Sequence, residues 1–126
     1  MYQIVKYTAI YEDELMELIR QEGDDWEIYW KEPNASQYRK SFEKSITYIA
    51  LADGKVCGYS RSLKDELFIY VCDLLVNSNH RGNGLGKKLM ICLKCEFPNI
   101  PVYVMSGNDD YYQKIKCKKE GSIYLL

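Results

Sequence analysis

Residues 76–88 read Val76-Asn77-Ser78-Asn79-His80-Arg81-Gly82-Asn83-Gly84-Leu85-Gly86-Lys87-Lys88, a glycine-rich segment between an apolar run and an amphipathic one. Closely spaced glycines allow the backbone to approach a ligand, because no Cβ atom intervenes. The first turn of a helix also presents unpaired N–H groups and the positive end of the helix dipole. The segment therefore predicts a strand, a loop and a helix start that bind a phosphate group, with added positive charge from Arg81, Lys87 and Lys88.

Two common nucleotide-binding motifs do not fit this segment. A Walker A loop ending at Gly86-Lys87 needs a glycine at position 81, which is Arg81, and a hydroxyl at position 88, which is Lys88. The dinucleotide-binding pattern Gly-x-Gly-x-x-Gly places its third glycine on Lys87, and it is expected near the first βαβ unit of a fold. Residues 76–88 therefore fit neither of these two phosphate-binding loops.

Upstream of the loop, the sequence predicts a strand, two helices and a hairpin. The strand covers Tyr2–Tyr7, and Thr8 is expected to cap a helix with an acidic first turn at Glu12-Asp13-Glu14. A second helix should start at a capping box in which Asn34 reaches forward and Gln37 reaches back. A hairpin follows, with strands 46–52 and 55–60 around Asp53-Gly54, and then a third antiparallel strand. The apolar faces of the two helices comprise Ile10, Tyr11, Leu15, Leu18 and Ile19 in the first, and Ala35, Tyr38, Phe42 and Ile46 in the second.

Downstream, the pattern is typical of a strand, helix, strand unit. Leu67–Val76 is apolar almost throughout, which indicates a central strand covered on both faces. Gly84–Phe97 predicts a helix with Leu85, Leu89, Cys92 and Leu93 on one face. Val102–Met105 should then run parallel to the central strand through a right-handed crossover. A short helix from Asp109 to about Lys116 and a last strand, Ser122–Leu126, complete the α/β prediction.

Composition limits the function. The 126 residues carry 17 Lys and Arg against 18 Asp and Glu, so the net charge of −1 argues against a nucleic-acid partner. No run approaches the roughly 20 apolar residues of a membrane helix. The odd set of five cysteines favours reduced thiols and no metal site. We therefore expect one domain, residues 1–126, in the cytoplasm.

The charge is unevenly distributed along the chain. Residues 1–80 hold nine basic and fourteen acidic residues, a net charge of −5, and residues 81–126 hold eight and four, a net charge of +4. The basic part contains the glycine loop. An anionic ligand at that loop would explain this asymmetry, and scattered surface charge is the alternative explanation.

The loop resembles that of the GCN5-related N-acetyltransferases, the GNAT family. Arg81-Gly82-Asn83-Gly84-Leu85-Gly86 matches the family's pyrophosphate loop, Arg/Gln-x-x-Gly-x-Gly/Ala. Asp73–Val76 resembles the family's central strand, and Ser106–Lys114 resembles its second cofactor motif. The resemblance covers nearly the whole chain. It implies an α+β GNAT fold, with a mixed sheet of about six strands flanked by about four helices and a splayed parallel strand pair that holds acetyl-CoA.

The resemblance also implies the reaction and the cofactor contacts. Family members transfer an acetyl group from acetyl-CoA to an amine by direct attack in a ternary complex. By position, backbone N–H groups from Arg81 to Lys87 would bind the pyrophosphate. Backbone groups near Leu74, Leu75 and Val76 would bind the pantetheine arm, together with the side chain of Asn108. The implied cofactor residues are Leu74, Leu75, Val76, Arg81, Gly82, Asn83, Gly84, Leu85, Gly86, Lys87 and Asn108.

Chemistry requires a base for the amine and an acid for the thiolate. An alkylammonium with a pKa of about 10.4 is mostly protonated near neutral pH, so a group must accept a proton. The candidates are Asp73, Glu66, Asp24, Asp25 and Glu27, acting directly or through water. A free N–H near Val76 would stabilise the oxyanion. Tyr112 matches the tyrosine that serves as general acid in the family, and the alternative role for it is a core aromatic of the short helix.

The acceptor is expected between the first two helices. Asp25, Trp26, Glu27, Tyr29 and Trp30 combine acids with aromatics, which suits a cation such as a polyamine, an aminoglycoside-like amine or a lysine-like amine. Alternatively, Trp26 and Trp30 only pack the helix end. Residues 73–87 also resemble glucosamine-phosphate acetyltransferases, although an acidic acceptor region fits a sugar phosphate poorly.

Two departures from the family pattern and one alternative function remain open. Lys116-Cys117 replaces the family's Gly-Phe, and only one convincing strand follows it. A second copy of the chain could cover the sheet edge left open, so a homodimer is a hypothesis. The alternative to an enzyme is a non-catalytic module that binds acyl-CoA as a sensor.

Overall fold

The computed structural model describes residues 1–126 and contains one five-stranded sheet in the order β1-β2-β3-β4-β5. The first four strands pair antiparallel, and β4 and β5 are parallel. The elements are β1 (Tyr2–Lys6), α1 (Glu12–Glu22), α2 (Glu27–Trp30), α3 (Asn34–Lys44), β2 (Ile46–Ala52), β3 (Lys55–Lys64), β4 (Ile69–Val76), α4 (Leu85–Glu96), β5 (Val102–Val104) and α5 (Asp109–Lys114). This is the mixed α/β fold predicted from the sequence.

The β2–β3 hairpin and the β4–α4–β5 crossover form as predicted. Asp53 and Gly54 have φ values of 49° and 83°, the positive angles of a tight primed turn. Ile69 of β4 lies opposite Val102 of β5 in a parallel register, with α4 as the connection. The sheet is therefore antiparallel up to β4 and parallel only at its last pair.

Helices cover both faces of the sheet and define two cores. On one face, α1 and α3 pack with Tyr59 and Leu75; on the other face, α4 packs with Ile69 and Val71. The side chains at the centre of each core are fully buried, as shown by Leu15, Ile19 and Phe42 on the first face and Leu85, Leu89 and Leu93 on the second. Both faces of β4 are thereby shielded, which explains its nearly continuous apolar sequence.

The helix starts differ from the sequence predictions. Thr8 makes no capping hydrogen bond, and a single 3-10 turn, Ala9–Tyr11, precedes α1 and leaves Ile10 81% exposed. The capping box at Asn34 does not form, because α3 already includes Asn34 in its first turn. Instead, the Glu32 carboxylate accepts hydrogen bonds from the backbone N–H and the hydroxyl of Ser36.

The predicted last strand is wrong. Residues 117–126 form no helix or strand, and Tyr124, Leu125 and Leu126 are exposed. β5 is only three residues long and offers a short edge for a further strand. The hypothesis that a second copy covers this edge stays a prediction. The helix count also differs, since the one-turn helix α2 was not predicted, and no helix has the length and hydropathy needed to cross a membrane.

Candidate active site

The loop between β4 and α4 leaves the backbone N–H groups of the first helical turn without partners. Gly82 and Gly84 have φ values of 84° and 73°, and a Cβ atom at either position would meet no atom within 4 Å. The glycines are therefore required for conformation and not for packing. No side chain caps α4, and its first helical bond runs from the N–H of Lys88 to the carbonyl of Gly84. The N–H groups between these residues are available to an anion.

Arg81 is bound within the protein and does not extend from the loop. Its Nη2 donates to Oε1 of Glu22 at 2.6 Å, and its Nε donates to the carbonyl of Val76 at 2.9 Å. The guanidinium thus connects the loop to the end of α1. Asn83 also stabilises the loop, because its side-chain amide donates a hydrogen bond to the carbonyl of His80. The exposed side chains of Lys87 and Lys88 provide the remaining positive charge at the helix start.

β4 and β5 separate beside this loop. Their pairing covers residues 69–71 and 102–104, and the last bond between them runs from the N–H of Met105 to the carbonyl of Val71. β4 nevertheless continues to Val76 without a neighbour on that side. The parallel pair is therefore open toward the glycine loop, as the resemblance to the family implied.

A bulge at Cys72 changes which face each later residue of β4 occupies. Val71 lies opposite Ser62, but Asp73 lies opposite Arg61, so Cys72 is an extra residue. Before the bulge, Val71 packs in the core under α4. After it, Leu75 packs in the core under α1 and α3, although both residues have odd numbers.

The bulge also determines where the backbone of β4 points. The N–H of Asn77 donates to the carbonyl of Cys57 on β3. Because N–H directions alternate along an antiparallel strand, the N–H groups of Leu74 and Val76 face away from β3 and into the gap left by β5. These are the positions at which the resemblance implies pantetheine and oxyanion contacts.

Asp73 lies in a buried polar network on the face covered by α3. It is 4% exposed, and its Oδ2 accepts hydrogen bonds from the Tyr38 hydroxyl and from Nε of Arg61, both at 2.6 Å. The hydroxyls of Tyr38 and Tyr59 are 2.7 Å apart. Both hydrogen bonds to Asp73 reach Oδ2, and neither uses Oδ1. Burial, followed by the charge of Asp73, raises the pKa of Tyr29 to about 12.

The other candidate bases lie away from this network. Asp24, Asp25 and Glu66 are exposed, and Glu27 forms an ion pair with Lys31 at 3.0 Å. None of these carboxylates belongs to the buried network. Among the candidate bases, only Asp73 lies on the part of β4 that continues beyond its pairing with β5.

The two neighbouring tyrosines of α5 point to different places. The Tyr111 hydroxyl lies over Gly86, where an added Cβ would be 2.5 Å from it. Tyr112 lines a groove beside the β4–β5 pair together with Tyr70 of β4 and Tyr103 of β5, and burial raises its pKa to about 12. Asn108 caps α5, since its side-chain oxygen accepts the N–H of Tyr111. Because burial raises both pKa values, the hydroxyls of Tyr111 and Tyr112 are protonated at neutral pH.

The expected acceptor residues split into two groups. Trp26 and Trp30 pack against the core under α1 and α3, and Nε1 of Trp30 donates to the carbonyl of Gly23. Tyr29 packs on Tyr38 with ring centroids 4.5 Å apart and lines a cleft. Asp25 is exposed and does not line this cleft.

Sequence reasoning missed the roles of Tyr38 and Arg61. Tyr38 lies on the apolar face of its helix, as its spacing predicts, but its hydroxyl binds Asp73. Arg61 lies opposite Asp73 only because of the bulge at Cys72, and no sequence signal identified that bulge. Opposite charges on neighbouring strands were the one available indication.

Comparisons with known proteins agree with this geometry. The family model described as Acetyltransferase (GNAT) family matches residues 8–96, more than half of the chain. No curated protein sequence matches the chain.

Solved structures share the fold at low sequence identity. An aminoglycoside acetyltransferase from an uncultured soil metagenomic sample has 19% identity and a TM-score of 0.75, over 100% of this chain and 97% of its own. A ribosomal-protein-alanine N-acetyltransferase from Brucella melitensis biovar Abortus 2308 also has 19% identity and a TM-score of 0.75, over 100% of this chain and 98% of its own.

The aminoglycoside N-acetyltransferase AAC(6')-Iy, in a complex with CoA, has 11% identity and a TM-score of 0.77, over 100% of this chain and 93% of its own. At these identities the solved structures establish the fold, and the family model establishes the family. The chain therefore belongs to the GNAT family and is an acetyl-CoA-dependent N-acetyltransferase.

Proposed function

We propose that this protein moves an acetyl group from acetyl-CoA to a primary amine of a small molecule, by direct attack within a ternary complex. The observation that carries the proposal is the uncapped first turn of α4 next to the open side of β4. The first turn of α4 offers its N–H groups to the diphosphate of acetyl-CoA, and β4 offers the N–H groups of Leu74 and Val76 to the pantetheine arm.

The first step is binding of acetyl-CoA at the loop from Arg81 to Lys87. The positive φ values of Gly82 and Gly84 hold the loop in a shape that leaves the N–H groups of the α4 turn open. Lys87 and Lys88 add charge at the same place. Backbone groups of Leu74, Leu75 and Val76, with the side-chain amide of Asn108, would then hold the pantetheine arm of acetyl-CoA near β5.

The second step requires proton transfers at both reacting groups. Asp73 is the proposed base because Arg61 and Tyr38 bind its Oδ2 and leave Oδ1 as the oxygen that would accept the proton. Tyr112 is the proposed acid for the departing thiolate. Its pKa of about 12 keeps the phenol protonated at neutral pH, which a proton donor requires.

The acceptor follows from the same geometry. Tyr29 lines the cleft and packs on Tyr38, whose hydroxyl binds Asp73, so it marks the side from which an amine would approach. The acceptor is a cationic small molecule or a lysine-like group. A polyamine and an amino acid both satisfy this description.

Two measurements test the proposal. Acetyl-CoA at a hundredfold excess over its Kd should stabilise the protein by about 2.7 kcal/mol in a thermal unfolding experiment, and ATP at the same concentration should not. Release of free thiol in the presence of an amine panel should then identify an enzyme. Stabilisation without release from any amine would support the acyl-CoA-binding sensor, and stabilisation by ATP alone would contradict the proposal.

Replacing each tyrosine of α5 tests the acid. Tyr112→Phe should lower kcat by about a hundredfold, the usual minimum for a lost general acid, and leave the Kd of acetyl-CoA within about twofold. Tyr111→Phe is the matched control, since it removes a hydroxyl from the adjacent residue. Full activity in Tyr112→Phe, or a larger loss in Tyr111→Phe, would contradict the assignment of the acid to Tyr112.

A further inference from the structure

A cleft of about 320 Å³ opens on the face of the sheet covered by α2 and α3. Its size is that of a small-molecule site. The polar and aromatic residues that line it are Tyr29, Asn34, Gln37, Tyr38, Ser41 and Arg61. None of its lining residues is acidic, and Arg61 is the one charged residue among them. The chemistry of this cleft is therefore not that of a site for a polycation.

Arg61 is held rigidly and keeps a donor free. Its Nε donates to Asp73 at 2.6 Å and its Nη1 donates to the Ser45 hydroxyl at 3.3 Å, whereas Nη2 makes no hydrogen bond. The guanidinium lies 5.2 Å from the centre of the Tyr38 ring. With 15% of its side chain exposed, Arg61 reaches the cleft without extending into solvent. Little entropy would be lost when this donor binds a ligand.

The groups around Arg61 also favour an anion. The side-chain amides of Asn34 and Gln37 are exposed at the cleft and make no hydrogen bond within the protein, so both have donors available. Asp73 binds the guanidinium through Nε, and the second hydrogen of Nη2 points away from the edge that Asp73 occupies. Burial alone would lower the pKa of Arg61, but the Asp73 carboxylate outweighs it, and the pKa is raised. Arg61 is therefore charged at every pH of interest.

We propose, on the basis of the proposed function above, that the acceptor amine also carries an anionic group, a carboxylate or a phosphate, and that Arg61 binds this group in the cleft. Nη2 of Arg61 and the amide of Gln37 donate to the anion. The amine of the same molecule then lies toward Tyr29 and the gap between β4 and β5. The cleft thereby selects amino-acid-like or phosphorylated amines over polyamines.

Two pairs of acceptors, each differing only in the anion, test this proposal. Lysine is compared with cadaverine, and glucosamine 6-phosphate with glucosamine. The anionic member of at least one pair should have a kcat/KM about tenfold higher, or a Kd about tenfold lower in the presence of CoA, and the pair that responds identifies the anion. Equal values in both pairs, or a preference for the member without the anion, would overturn the proposal.

The same experiment separates this proposal from the proposed function. Acetyl transfer to cadaverine or glucosamine without any preference for an anion would overturn only the inference about Arg61. Absence of acetyl-CoA binding would overturn the proposed function itself. Acceptor binding is measured alongside turnover, so that a slow reaction still gives a result for each pair.

A charge placed in the cleft provides an independent test. Gln37→Glu adds a carboxylate next to Arg61 and should lower kcat/KM for the preferred anionic acceptor about tenfold, with the KM of acetyl-CoA unchanged. Gln3→Glu makes the same chemical change on β1, at the other edge of the sheet, and should have no effect. Equal responses of Gln37→Glu and Gln3→Glu would contradict the proposal.

Discussion

The two halves of the candidate active site are built in different ways. On the cofactor side, the N–H groups of the first turn of α4 and of Leu74 and Val76 are main-chain groups, positioned by glycines and by a strand that loses its neighbour. On the acceptor side, Tyr29, Tyr38, Arg61 and Asp73 come from four different elements and meet through their side chains. The cofactor side therefore depends on local backbone shape, and the acceptor side depends on long-range packing.

The largest effect is expected where the acceptor side is buried. Asp73→Ala leaves Arg61 without its partner and should lower the free energy of unfolding by about 3–5 kcal/mol, measured by chemical denaturation. Asp110→Ala is the control, because Asp110 is exposed and should change stability by less than about 1 kcal/mol.

A double variant sharpens this first prediction. Asp73→Leu combined with Arg61→Met removes both charges and should recover most of the lost stability, since apolar residues of similar volume often replace a buried ion pair without loss. If Asp73→Ala is no less stable than Asp110→Ala, the network does not hold the acceptor side together.

A smaller effect is expected at the contact between α4 and α5. In Gly86→Ala, the new methyl group must displace the Tyr111 hydroxyl, and the Kd of acetyl-CoA should rise about fivefold, on the order of 1 kcal/mol. Adding Tyr111→Phe removes the displaced atom and should restore the affinity. Gly121→Ala, at a position with open space, is the control. An unchanged Kd in Gly86→Ala would show that this contact lies outside the binding region.

The smallest effect is expected at the ion pair between Arg81 and Glu22. Glu22→Gln frees the guanidinium beside the loop, so the Kd of acetyl-CoA should fall by up to about threefold, and less at high salt. Glu17→Gln removes the carboxylate that pairs with Arg20 on the same helix and serves as control. Weaker binding in Glu22→Gln would mean that the ion pair holds the loop in its binding shape.

The contrast between the two sides also explains what could be predicted from the sequence. The glycine loop, the Asp53-Gly54 turn and the apolar run of β4 each encode local conformation, and all three form as predicted. Arg61 meets Asp73 only because Cys72 is an extra residue in β4, which depends on the pairing of two strands. The predicted strand Ser122–Leu126 has suitable residues, but a strand requires a partner, and the sequence contains no signal for one.

The most direct test of the cofactor side observes the main-chain groups themselves. In a two-dimensional NMR titration of the isotope-labelled protein with CoA, the amide signals of Leu85, Gly86 and Lys87 should shift most, together with those of Leu74 and Val76. Variants of side chains cannot remove these groups, so their signals report the binding directly. Largest shifts elsewhere on the protein, with these five amides unchanged, would contradict the account.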